Sequence, residues 1–252
     1  MSQLIFTTLP GIPMIETGDD LTAILLKSVE EGKIQLEDGD ILVLAQKIVS
    51  KAEGRWVNLE TVSPGDTALA LAAETEKDPR LVEMILSESS EVVRKRPGLI
   101  VVEHKLGFIC ANAGIDHSNV KGEGDWILLL PEDPDGSAEK LRAEIAEKTS
   151  KLIGVLIIDS HGRAWRNGTV GITIGLAGVP GVVNRVGDFD LFGYQLVATE
   201  IGAADELAAG ASLLMGQVDE GTPAIHVRGF PYPLRNADLG ELLRERERDM
   251  FR

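Results

Sequence analysis

The stretch LIGVLIIDSHGRAWRNGTVGITIGL, residues 152–176, decides how this chain is read. It holds two short apolar runs, LIGVLII at 152–158 and VGITIGL at 170–176. Both are rich in branched residues and short enough to be strands. The first run stops abruptly in Asp159, Ser160 and His161. Two explanations stand side by side. Either the strand has reached an ordinary polar turn, or it delivers a metal ligand to a site.

Working outward, further strand-like runs occur at LIFTTL (4–9), DILVLAQ (40–46), GLIVVEH (98–104), GFICA (107–111), DWILLLP (125–131) and PAIHVRG (223–229). Helices are expected at DDLTAILLKSVEEG (19–32), between an Asp and a Gly, and at PRLVEMILSES (79–89), where a proline suits the first turn. SAEKLRAEIAEKTSK (137–151) is amphipathic, with Ser137 as a candidate N-cap. ATEIGAADELAAGASLLMG (198–216) and the charged ADLGELLRERERDMFR (237–252) complete the set. Strands cluster between 98 and 176 with too few helices for a doubly wound sheet. The expected class is therefore mixed α/β (α+β), with antiparallel pairing. The segment PEDPDGS (131–137) reads as a linker, a candidate subdomain boundary within a single unit spanning 1–252.

Composition narrows the function. Of 252 residues, 44% are hydrophobic and 26% charged, as in an ordinary globular protein. No apolar run approaches the ~20 residues of a membrane helix, and the N-terminus lacks the pattern of a signal peptide. A single cysteine, Cys110, excludes an internal disulfide, so a cytoplasmic location is expected. Within GFICA that cysteine reads as a small core residue. The formal net charge of −15 argues against non-specific nucleic-acid binding, which depends on neutralising phosphates. A nucleotide remains compatible, because a few local lysines suffice to bind one.

The P-loop signature and the dinucleotide-binding glycine fingerprint are both missing, as are C-x-x-C, H-E-x-x-H and G-x-S-x-G. Neither a P-loop nor a Rossmann enzyme is expected. Polar clusters close several apolar runs instead: Asp116, His117 and Asn119; Asp159 and Ser160; Gln217, Asp219 and Glu220. Such oxygens suit a hard divalent cation, with Asp116, Asp159 and Gln217 as the natural set. His117 and His161 are poorer ligands for Mg²⁺ and fit a surface or supporting role. After the strand at 40–46 come Lys47, Ser50, Lys51 and Arg55, a basic turn that serves either phosphate or solvent. Lys47 and Lys51 share a face if that turn is helical. LPGIP (9–13) is a rigid turn able to line a base or phosphate. Asp188 and Asp190 in GDFDLFG are a further candidate metal pair.

Five blocks then act together: LPGIP; DILVLAQKIVSKAEGR (40–55); ANAGIDHSNV (111–120); LIIDSHGRAWRNGTVGITIG (156–175); and DLFGYQLVATEIGAADELAAGASLLMGQVDEGTPAIHVRG (190–229). By their order and spacing the chain resembles the coenzyme F420-0:L-glutamate ligase family over nearly its whole length. The resemblance implies an unusual fold with mixed and antiparallel sheets and an interlocked homodimer. It implies GTP-dependent ligation of L-glutamate to coenzyme F420-0 through an acyl phosphate, releasing GDP and phosphate, with further γ-linked glutamates as an extension of the same chemistry. Mg²⁺ or Mn²⁺, and K⁺, are the implied ions. Asp116, Asp159, Ser160 and Gln217 become the metal set, and Asp116, Asp159 and Lys51 the catalytic residues. The implied GTP contacts are Leu9, Pro10, Gly11, Ile12, Gln46, Lys47, Lys51 and Asn119, together with Met215, Gly216, Gln217, Val218, Asp219, Glu220, Gly221 and Thr222. Ser160 stands where relatives often carry Thr, which keeps the oxygen. DEGTP departs from the more apolar form usual after MGQ. The flavin-dependent nitroreductase-like extension of longer relatives is not expected, nor a bound flavin. A metal-dependent nucleotide phosphohydrolase and a non-enzymatic nucleotide-binding module are the competing readings.

Overall fold

The computed structural model of the chain describes residues 3–120 and 124–250. In order, the elements are β1 (Ile5–Thr8), α1 (Leu21–Glu31), β2 (Ile41–Ala45), α2 (Gln46–Ala52), β3 (Trp56–Asn58), α3 (Asp66–Thr75), α4 (Pro79–Ser87), β4 (Ser89–Arg96) and β5 (Leu99–His104). There follow β6 (Ile109–Ala111), β7 (Trp126–Leu128), α5 (Pro134–Thr149), β8 (Gly154–Arg163), β9 (Arg166–Ala177), β10 (Val183–Asn184), β11 (Glu200–Ile201), α6 (Ala203–Met215) and β12 (Ala224–Arg228). The class is mixed α/β. A five-stranded sheet has the order β1-β12-β2-β8-β9, and only its central β2–β8 pair is parallel. Antiparallel β4-β5-β6, β3-β7 and β10-β11 form three smaller sheets. No helix among the described residues is long and apolar enough to cross a membrane.

The unbroken apolar runs in β2 and β8 have a simple cause. Side chains alternate between the two faces of a strand, and here both faces are covered. Leu42, Leu44, Val155 and Ile157 belong to the larger core, with Leu25 of α1 and Leu141 and Ile145 of α5. Ile41, Val43, Leu156 and Ile158 belong to the other, beneath Ala204, Leu207, Ala208 and Ala211 of α6. The alanines of α6 permit a close approach. A Cβ at Gly171 of β9 would lie 2.7 Å from the Ala208 carbonyl oxygen, so glycine is required where this helix crosses the strand.

The N-terminal edge of this parallel pair is pinned by charge. Asp40, just before β2, is 2% exposed. It accepts hydrogen bonds from Arg228 Nε (2.9 Å) and Nη2 (2.7 Å) and from the Glu37 amide (2.8 Å). His226 Nε2 lies 2.9 Å from Oδ2, close but poorly aligned for a hydrogen bond. Burial works against ionisation of Asp40, yet the bonds from Arg228 and the contact with His226 outweigh it and hold the carboxyl below its ordinary range.

Three expectations are corrected. The strand at 152–158 does not stop at Ile158. β8 continues to Arg163, paired with β9 through Asp159↔Ile172 and His161↔Val170. Backbone pairing outlasts the core, and only the side chains turn polar. The helix expected from Ser137 begins earlier, at Pro134, capped by Asp133 through the Gly136 amide (2.9 Å), so much of PEDPDGS is its cap and first turn. The charged C-terminal helix does not form over 237–250. Two 3-10 turns, Leu239–Glu241 and Arg246–Arg248, occur instead, and residues 251 and 252 of that segment lie outside the described residues. Leu239 is buried, with Leu242 and Leu243 packed against the same core, whereas RERERD offers no apolar stripe to hold a helix down.

Candidate active site

β2 and β8 run parallel with Ala45 opposite Ile158, so their C-terminal ends open on the same edge. Crevices at such ends are where α/β sheets take ligands. A cavity of about 650 Å³ lies there, within the range of small-molecule sites. β2 passes straight into α2, which brings Gln46, Lys47 and Lys51 to the wall. β8 contributes Asp159, Ser160 and His161. Asp116 arrives from a third direction, held by a two-bond backbone bridge to Leu128 (3.0 and 2.9 Å). The fourth wall is the segment after α6, which leaves the helix at Gly216 with φ +71°. With φ +71° and ψ −173°, Gly216 adopts a backbone conformation that residues with a Cβ rarely reach, so the turn demands glycine.

Asp116 is the electrostatic centre. Gln46 Nε2 donates to its Oδ2 at 2.6 Å, and Lys47 Nζ lies 3.2 Å from Oδ1. Gln46 is itself aimed by Ser50, whose hydroxyl donates to Oε1 (2.8 Å). Even so, burial and then the nearby charge of Asp159 push the Asp116 carboxyl up to about 6, against the opposing pull of Lys47 and Gln46. Two carboxylates are thus crowded together without enough positive charge. Lys51 is 6% exposed, its ammonium 5.5 Å from the centre of the Trp56 ring. Burial and the repulsion of Lys47 lower its pKa, opposed by Glu16 and Asp116. Ser160 donates its hydroxyl to Gln217 Oε1 (2.8 Å), and Asn119 Nδ2 donates to the Val218 carbonyl (2.9 Å). These two bonds tie the segment after α6 to the rest of the site.

Among the described residues no three His, Cys, Asp or Glu side chains cluster as a complete metal cage. The donor set nevertheless fits a hard cation. It has two neighbouring carboxylates, a hydroxyl and an amide oxygen, the kind of partial shell that Mg²⁺ or Mn²⁺ completes with water and phosphate oxygens.

The structure brings most of the sequence-derived residues to this one cavity: Ile12, Gln46, Lys47, Lys51, Asp116, Asn119, Asp159, Ser160 and all of Met215 to Thr222. Leu9, Pro10 and Gly11 are not on its wall. Leu9 is 1% exposed in the core, the Pro10 carbonyl accepts a bond from Ser28, and Gly11 abuts Glu31. Pro13, Met14 and Ile15 join Ile12 on the wall instead. His117 is exposed and off the wall. Asp188 and Asp190 serve turns: Asp188 pairs with Arg185 (2.8 Å), and Asp190 accepts from the amides of Phe192 and Tyr194 (both 2.8 Å). Cys110 is a core residue, its thiol pushed up to about 12 by burial and by Asp159.

Sequence reasoning passed over Ser118, whose carbonyl and hydroxyl oxygens accept from Lys47 Nζ (3.2 and 3.3 Å). It also missed how closely His161 belongs to Asp159: Nε2 is 2.9 Å from Oδ2 and the ring is buried. Residues two apart on a strand share a face, so extending β8 past Ile158 would have found that pair.

The family model for F420-0:Gamma-glutamyl ligase matches residues 11–229. The chain belongs to this family. The match takes in β2, α2, the Asp116 turn, the β8–β9 hairpin and the segment after α6, which are all four walls of the cavity. Relatives within the F420 ligase family include the coenzyme F420:L-glutamate ligases of Methanothermobacter thermautotrophicus (48% identical, covering 96% of both chains) and Archaeoglobus fulgidus (44%, covering 96% of this chain and 94% of the relative). That of Methanopyrus kandleri is 43% identical over 94% of this chain and 93% of its own. Its family is thus one of ligases that form carbon–nitrogen bonds.

Proposed function

We propose that the chain ligates L-glutamate to coenzyme F420-0 at the expense of GTP. The observation that carries the reading is the crowding of Asp116 and Asp159 beside Lys47 and Lys51 in a nucleotide-sized cavity, in a member of this ligase family. A terminal carboxylate oxygen of F420-0 attacks the γ-phosphorus of GTP. The bond to the β–γ bridging oxygen breaks and GDP leaves. The α-amine of glutamate then attacks the acyl carbon of the acyl phosphate. A C–N bond forms, the C–O bond to phosphate breaks, and the amine gives up its proton.

Phosphoryl transfer asks the protein mainly for positioning and charge neutralisation. Asp116, Asp159, Ser160 and Gln217 would hold Mg²⁺ or Mn²⁺, which when bound neutralises the charge on the transferring phosphate oxygens. Lys47 and Lys51 add fixed positive charge from one face of α2. The buried position of Lys51 strengthens its field by excluding water. Asn119 and the Met215–Thr222 segment frame the nucleotide. K⁺, implied by the family resemblance, is a further ion of the reaction. The exposed apolar side chains Phe189, Leu191, Phe192 and Val197, between β10 and β11, support a homodimer.

The test is an end-point assay by mass spectrometry with F420-0, glutamate, GTP and Mn²⁺, each omitted in turn. Product heavier by one or more glutamyl units, dependent on GTP and abolished by Asp159→Ala, is the expected result. GDP formed without any glutamylated coenzyme would instead favour a phosphohydrolase.

A further inference from the structure

We infer that His161 is a positioning residue for Asp159, deciding which carboxylate oxygen is offered to a divalent cation. The inference rests on the metal reading above and deepens it.

His161 Nε2 lies 2.9 Å from Asp159 Oδ2. A carboxylate accepts hydrogen bonds, so Nε2–H is the donor in this contact and Nδ1 is the nitrogen turned away from it. Nδ1 is buried and has no hydrogen-bond partner among the described residues. A buried polar atom without a partner is a standing cost, and an apolar side chain of similar volume would avoid it. The ring therefore earns its place through one nitrogen alone, the one aimed at Asp159.

The ring is also held against rotation. It is 6% exposed and packs on Phe108, centroids 5.3 Å apart and planes tilted by 54°. Phe108 in turn lies flat on His104, at 5.2 Å and 8°. His104 is fixed from its other side, its Nδ1 accepting the Leu106 amide at 3.0 Å. A three-ring stack thus backs His161 and sets the direction of its N–H. With Oδ2 engaged, Oδ1 is the Asp159 oxygen left for a cation. A histidine that fixes a ligating carboxylate belongs to the supporting contacts whose loss weakens metal binding by about 10- to 100-fold.

The test uses the full chain stripped of metal and titrated with Mn²⁺ alone, free Mn²⁺ being read by electron paramagnetic resonance. His161→Leu keeps the volume and removes the donor. The expected result is Mn²⁺ binding weakened at least tenfold, with a melting temperature in the absence of metal equal to or above that of the unaltered protein. His161→Gln restores an N–H donor and is expected to recover part of the affinity. A merely space-filling histidine would give the reverse, with Mn²⁺ affinity within twofold in both variants, and that result overturns the inference. Should the leucine variant fail to fold, His161→Asn decides the matter. It retains a donor of shorter reach, so intermediate affinity supports the inference and unchanged affinity ends it. If the unaltered protein binds no Mn²⁺, the metal reading itself falls and takes this inference with it. Binding by the unaltered protein and equally by all variants sinks the inference alone.

Discussion

Asp40 and Asp116 sit at opposite ends of the same parallel strand pair and are shifted in opposite directions. Asp40, at the N-terminal edge, is buried, yet Arg228 and His226 hold its carboxyl below the ordinary range. Asp116, at the C-terminal edge, rises to about 6, because burial and then the charge of Asp159 push it up and Lys47 and Gln46 only partly compensate. Burial alone does not distinguish a structural carboxylate from a functional one. What differs is whether the fold supplies its counter-charge. At Asp40 the account is closed by the chain itself, and at Asp116 it is left open for a ligand.

The largest effect that would sharpen this contrast is on turnover. Asp116→Ala and Asp159→Ala are each expected to lower glutamylation of F420-0 by at least about 100-fold. Arg228→Met, at the other end, should leave kcat within about threefold, since it touches nothing in the cavity. Comparable losses of kcat in all three would break the comparison.

Stability should show the opposite pattern. Arg228→Met removes the two guanidinium bonds to buried Asp40 and is expected to cost about 3 kcal/mol, or roughly 8 °C in melting temperature for a chain of this size. Asp116→Asn is expected to stabilise the metal-free protein by about 1–2 kcal/mol, because it removes one of two repelling charges while Gln46 can still donate to the new amide oxygen. A melting temperature lowered by Asp116→Asn would mean that the pair is already neutralised.

The smallest effect is the dependence of stability on pH. A carboxyl whose folded pKa is raised contributes stability that is fully present below its unfolded pKa and is lost as pH rises through the folded value. For Asp116 that window runs from about 4 to about 6. Metal-free protein should therefore become modestly more stable as pH falls from 7 to 5, and Asp116→Asn should flatten that limb. Asp40 has the reverse sign. Its contribution is present above its unfolded pKa and is lost only as pH falls through its depressed folded value, below about 4. Differential scanning fluorimetry from pH 3 to 8 on both variants separates the two limbs.

How much of this was legible beforehand depended on whether a segment carried its own signal. β2 and β8 announced themselves as branched apolar runs, and the polar residues closing them marked the cavity edge. α1 and α4 carried start signals in the sequence, Asp20 as N-cap and Pro79 at the first helical position. β4 was invisible because SSEVVRKR is an edge strand whose exposed Arg and Lys resemble a solvated loop. α3, DTALALAAET, begins at a glycine with no side-chain cap, and its alanines give only a weak stripe. At the site, residue types could be read from sequence but their pairings could not. That Gln46 reaches Asp116 across 70 residues depends on the bridge to Leu128, which is set by tertiary packing and leaves no local pattern.

The solitary thiol has a practical corollary. Cys110 is 5% exposed, and its pKa near 12 leaves almost no thiolate at neutral pH. Maleimide reagents should leave the native protein untouched over hours. A cysteine placed at the exposed Ala164, in the turn between β8 and β9, would then be the sole labelling handle. A spin label or fluorophore attached there would ride on the strand that carries Asp159, reporting on ligand occupancy without a second mutation to silence background.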